Sequence, residues 1–81
     1  MSFKNEVGNR LKKLRLKAGL TQVELAKKSG LSVNFIGEVE RGQRGISIKN
    51  LKKILLVISL SMDVEWNKFR DKFFEDLLDI D

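Results

Sequence analysis

The chain is 81 residues long, carries a net charge of +5 and contains no Cys, His or Pro. That length allows one small domain with a marginal core; the missing Cys and His remove disulfides, the usual zinc ligands and the commonest catalytic groups, leaving oligomerisation as the route to further stability. Residues 1–53 hold thirteen Lys or Arg against four Glu (net +9) and residues 54–81 three basic against seven acidic side chains (net −4), a basic front that suits a polyanion.

Apolar residues recur mostly at intervals of three and four, the helical period. Val7, Leu11, Leu14 and Ala18 make the stripe of a first helix that ends at Gly19. In "TQVE", Thr21 and Glu24 are spaced as a capping box opening a second helix, with Leu25 and Ala26 turned inward and Ser29-Gly30 as its stop. Ser32 is the expected cap of a third helix through Arg41, and Gly42 suits the left-handed position beyond it. Ser47 opens a fourth helix carrying Leu51, Ile54, Leu55 and Ile58. Its run "ILLVI" also fits a buried strand, but "IKNLKK" leads into it with helical spacing and no turn signal. Ser61 is expected to cap a fifth helix, with Asp63 and Glu65 near its positive N-terminus and Trp66, Phe69, Phe73, Leu77 and Ile80 as its stripe. Gly8 and Gly37 count with the other glycines as breakers. The expectation is an all-α fold of five helices in one domain spanning 1–81.

Residues 1–10 are mostly polar and lack the apolar centre of a signal peptide. The longest unbroken apolar run, Ile54 to Ile58, is far too short to span a bilayer. A soluble cytoplasmic protein is expected, with no membrane partner, no cofactor, no metal and no enzymatic activity.

From Gln22 to Arg41, two short helices joined by a Gly-containing turn have the helix-turn-helix spacing. Leu25, Ala26, Gly30, Leu31, Ile36 and Val39 stand where that motif needs them: a small residue at the helix crossing, a glycine in the turn, and apolar pins onto the first helix. With "LRLKAGLTQVELAKKSGLS" and "IGEVERG", the chain resembles the Cro/phage-repressor (Xre) class of helix-turn-helix regulators from about Val7 to Glu65. Its short length, "VERGQRGISIKNLKKI" and the fifth helix are most similar to restriction–modification controller proteins. The resemblance implies a lambda-repressor-like fold, with the helix-turn-helix at about 21–41 and dimerisation helices at about 47–79.

In that class the third helix enters the major groove with its N-terminal residues on base edges. Carried onto this chain, Ser32, Val33, Asn34 and Glu38 become the reading positions. Asn can bond adenine N6 and N7 together, Val can meet a thymine methyl, and Glu can accept from cytosine N4. Many controllers have an arginine where Val33 stands, so a different base is expected there. The resemblance also implies a phosphate contact from Gln22 at the start of the second helix, and backbone contacts from Arg41, Gln43 and Arg44. Gly45 would let their loop bend towards the groove. Lys49 and Asn50 fit either phosphate contacts or plain surface. Arg15 and Glu40 match positions that form an ion pair tying the first helix to the end of the third. Activators of the class present acidic residues on the second helix to the polymerase sigma subunit. Here Glu24 is kept, but Val23 and Lys27-Lys28 flank it, so strong repression with weak activation is expected.

Leu56 and Val57 make the fourth helix apolar almost all round, so a second side needs a cover. The expected cover is a second copy of the chain, meeting it through Leu56, Val57, Trp66, Phe69 and Phe73. The expected function is therefore a homodimeric, sequence-specific transcription regulator acting on double-stranded DNA. Its operator would be palindromic and could take two dimers, with autoregulation of a restriction–modification operon. Rival readings are a phage-type repressor, an antitoxin, or a protein-interaction module in which the acidic fifth helix binds a partner.

Overall fold

The computed structural model describes residues 2–79. Among them the backbone forms five helices and no strand: α1 (Phe3–Lys17), α2 (Gln22–Ser29), α3 (Val33–Glu40), α4 (Ile48–Met62) and α5 (Trp66–Leu78). Each start is written locally. Ser2, Thr21, Ser32 and Ser47 each accept the backbone N–H three residues on, and in the second of these Glu24 returns a bond to the Thr21 N–H. Caps of this kind contribute about 1 kcal/mol each.

The start of α5 differs from the sequence expectation. Ser61 is a helical residue of α4, which runs on to Met62 and is closed by Asp63 in the left-handed conformation, φ 54°. The cap of α5 is Glu65, whose carboxylate accepts the N–H groups of Asn67 at 3.0 Å and Lys68 at 2.8 Å. Asp is among the few non-glycine residues that tolerate the left-handed region, and a carboxylate satisfies two orphan donors where a serine satisfies one. Gly8 and Gly37 are not breakers either: both are buried inside helices. At Gly8 the reason is contact, since a Cβ there would collide with the Val39 carbonyl oxygen of α3.

The core is one cluster. Leu11 of α1, Leu25 of α2, Ile36 and Val39 of α3, and Ile54, Leu55 and Ile58 of α4 are all essentially inaccessible. α3 packs on α1 and α2, while α4 backs α2 and carries α5 on its other flank. Phe73 and Leu77 of α5 complete the cluster. Phe73, expected at a dimer seam, is only 4% exposed and packs edge-on against Phe74, with ring centroids 5.4 Å apart. It is a core residue, because the i, i+4 spacing that pairs it with Leu77 turns both inward, beside α1 residues such as Leu14 and Val7. Ile80 lies outside the described residues.

Candidate nucleic-acid interface

The interface is built on α3, which is divided along its length. Ile36 and Val39 are 1% and 2% exposed, three residues apart on the inward face. Ser32, Val33 and Asn34 at its start are exposed, and Glu38 is half-buried one turn later. A helix this short, eight residues, is held by its packing rather than by its own hydrogen bonds. Its outer edge is therefore positioned by the core beneath it. The Ser32 hydroxyl oxygen accepts the Phe35 N–H at 3.1 Å, which leaves its own proton to donate outward.

The far end of α3 is tied down by a buried charge network. Arg15 Nε donates to Glu40 Oε2 at 2.6 Å, its Nη2 to Glu40 Oε1 at 3.0 Å, and its Nη1 to the Leu20 carbonyl at 2.8 Å. Gln22 Nε2 adds a third donor to Glu40, 3.0 Å from Oε1. Both charged residues are buried, 6% and 7% exposed. A buried carboxylate is tolerable because this bidentate arginine and the amide replace the water it has lost. The network joins α1, the turn before α2, the first residue of α2 and the end of α3. Gln22 thus has a structural role that no local sequence pattern marks. Its amide nitrogen still carries a second N–H.

Beyond α3 the chain turns at Gly42, φ +74°, where a Cβ would also run into Asn5 of α1. This places three polar side chains beside the outer edge of α3. Arg41 folds back over Gly37, where a Cβ would stand 2.9 Å from its Nη1, and its Nε donates to Gln43 Oε1 at 3.1 Å. Arg44 Nε lies 3.5 Å from Glu38 Oε1, with its guanidinium carbon 5.6 Å from the centre of the Phe35 ring. Sequence spacing could not reveal this last pairing, because six residues apart is no helical period and the turn alone decides it. Lys49 is exposed in the first turn of α4. The structure therefore gathers Ser32, Val33, Asn34, Glu38, Arg41, Gln43 and Arg44 around α3 and the turn that leaves it.

Glu24 is exposed, but its carboxylate is committed to the start of α2. The Thr21 backbone N–H and then the Thr21 hydroxyl hold it below the ordinary value of 4.5, with Lys28 adding a little. On α4, Leu56 and Val57 are half-buried while Leu60, one turn on, is 78% exposed and Val64 is 41% exposed. Trp66 and Phe69 are half-buried against the core. Among the described residues no group of His, Cys, Asp or Glu could hold a metal ion. No helix among them is long and apolar enough to cross a membrane.

The helix-turn-helix family HTH_3 matches residues 11–64. The wild-type restriction–modification controller protein C.Esp1396I has a similar crystal structure, with TM-score 0.71 and 31% identity over 100% of this chain and 99% of that one. The same protein is known as a tetramer in complex with its natural 35 base-pair operator, where the TM-score is 0.70, with 96% of this chain and 97% of that one covered. The controller C.AhdI from Aeromonas hydrophila gives TM-score 0.64 at 38% identity, over 82% of this chain and 94% of that one. Among curated relatives, the transcriptional regulator SinR of Bacillus licheniformis is 30% identical over 90% of this chain and 67% of its own length. The chain spans only 12% of the length of another, PrpR of Mycobacterium tuberculosis. With its exposed-edged third helix seated on an α1–α2 frame, the chain belongs to the helix-turn-helix (HTH_3, Xre-type) family of DNA-binding transcription regulators.

Proposed function

We propose that this regulator works as a homodimer on a palindromic operator, in the manner of a restriction–modification controller, and that it controls its own gene. The observation that carries the DNA-reading part is the outer edge of α3, where Val33 and Asn34 are exposed while the opposite face is locked in the core. Asn34 offers the bidentate geometry that selects adenine, and Val33 an apolar contact for a thymine methyl. Ser32 donates its hydroxyl proton to a base or phosphate, and Glu38 accepts from a cytosine amino group. Gln22 donates its second N–H to a phosphate while the first stays on Glu40. Arg41, Gln43, Arg44 and Lys49 take the neighbouring phosphates.

The dimer reading rests on the apolar edge of α4, Leu56, Val57 and Leu60, with the exposed Val64 just beyond the end of α4 and the half-buried Trp66 and Phe69 on α5. A two-fold axis through this edge would set two α3 helices about one DNA turn, roughly 34 Å, apart. The operator complex of C.Esp1396I supports two dimers on one DNA site. Repression is the main output in this reading. Glu24 is the one acidic group of α2, and its carboxylate is occupied by Thr21 with Lys28 nearby, a poor lure for a basic sigma surface.

Footprinting on the DNA upstream of the protein's own gene, paired with transcription across a range of protein concentrations, tests this reading. Two protected half-sites about one turn apart and a monotonic fall in transcription are expected. Absence of protection there would remove autoregulation. A strong activation phase surviving Glu24→Ala would place the polymerase contact elsewhere.

A further inference from the structure

We infer that Glu38 sets specificity by capturing Arg44 in the free protein and on wrong DNA, and releases it only where the operator supplies another donor. The inference rests on the proposed DNA-binding mode and adds a role that the mode does not require. Glu38 is the only acid on the outer edge of α3, the edge that would face a polyanion. A carboxylate carried into the major groove without a partner is repelled by phosphates and loses its water. Its partner in this structure is Arg44, 3.5 Å away, swung back from the exit turn and resting on the Phe35 ring. Arg44 is itself exposed, with 56% of its side chain accessible, so its contacts with Glu38 and the ring leave it free to be displaced.

Two states follow from these positions. While Arg44 is on Glu38, the pair is neutral and Arg44 cannot neutralise a phosphate, so binding to arbitrary sequence is weakened. Where a cytosine amino group stands opposite Glu38, it replaces Arg44 as the hydrogen-bond partner, and the guanidinium swings out to the backbone. The correct base thus adds a phosphate contact as well as a base contact, and a wrong base leaves both unmade. Phe35 gives the withdrawn guanidinium an apolar seat, which explains an aromatic ring left half-buried at the edge of the interface.

The test is a salt titration of duplex binding by the full chain, wild type against Glu38→Gln, Arg44→Ala and the double variant. It uses a scrambled duplex and a duplex selected for tight binding. Both side chains are substantially exposed, and melting curves confirm that the variants fold. On scrambled DNA, Glu38→Gln should bind several-fold tighter than wild type, with a salt slope steeper by about one, the mark of one additional phosphate contact. In the Arg44→Ala background the same substitution should leave the slope unchanged. On the selected duplex, Glu38→Gln should lose its advantage, so that the preference over scrambled DNA falls about tenfold or more. The inference is overturned if the slope on scrambled DNA is the same for wild type and Glu38→Gln, or if it steepens equally without Arg44, which would mean simple charge removal. A wild-type protein that binds no duplex at all would instead overturn the DNA-binding mode beneath it.

Discussion

Arg15 and Glu40 show how one residue pair can hold the end of α3 in place. The pair is buried and multiply bonded, and such pairs contribute little net stability when intact but cost much when one member is removed. Arg15→Met should destabilise the fold by about 3–5 kcal/mol, because Glu40 is left as an uncompensated buried charge. Denaturant unfolding measures this, and a loss under about 1 kcal/mol would mean that water reaches Glu40. At this scale the sequence was legible where a side chain has one local task and poorly legible where it has two. Thr21 and Ser32 could be read as caps from spacing alone. The bond from Gln22 to Glu40, eighteen residues away, and the Glu38–Arg44 pair depend on how α3 and the exit turn are placed. Phe73 misled for a related reason: a stripe at helical spacing says that a face is covered, not by which copy of the chain.

The helices succeed or fail by their ends and their crossings. At the α1–α3 crossing, alanine in place of Gly8 would gain up to about 1 kcal/mol of helix propensity. It would also drive a methyl into the Val39 carbonyl, backbone that cannot step aside without separating the two helices. Overpacking of this kind costs about 1–3 kcal/mol, so Gly8→Ala should be net destabilising, as thermal melting will show. At the start of α5, Glu65→Ala should lower the melting temperature whereas Ser61→Ala should leave it nearly unchanged, since only the former carries cap bonds. The Lys68 and Asn67 backbone N–H groups depress the Glu65 carboxyl below its ordinary value of 4.5, as Thr21 does for Glu24. A depressed folded-state value contributes stability above the unfolded value, which is lost as the pH falls through the folded one. Stability should therefore drop in acid below about pH 4.5, and less steeply in Glu65→Gln. The hydroxyl-capped starts at Thr21, Ser32 and Ser47 could be read from sequence because a cap joins a residue to the backbone only three positions on. The join between α4 and α5 could not, because Ser61 and Glu65 are both acceptable caps locally. The choice fell to how far packing against the core carries α4.

The whole molecule measures 32 × 28 × 21 Å and presents one α3, so a single copy covers one face of one groove. Reading two successive turns, roughly 34 Å apart, takes a second copy. The exposed Leu60, with Leu56 and Val57 beside it, is the surface available for that. Leu60→Lys should convert a dimer to a monomer in sedimentation while leaving the fold intact, because the side chain is 78% exposed in the isolated chain. A wild-type protein that sediments as a monomer at rising concentration would remove α4 as the seam. All-α architecture, helix order and family were legible at this scale from periodicity and the residues of the turn, whereas the cover proposed for the α4 edge is not written in one chain's periodicity. The central claim, that the edge of α3 reads sequence symmetrically, is tested most directly by selecting bound duplexes from a random pool with wild-type protein and with Asn34→Ala. Wild type should enrich a palindrome with half-site centres about one turn apart, and Asn34→Ala should relax one base pair in each half-site at a cost of about 1–3 kcal/mol. Enrichment of no common sequence, or of the same sequence with equal strength by both proteins, would contradict it.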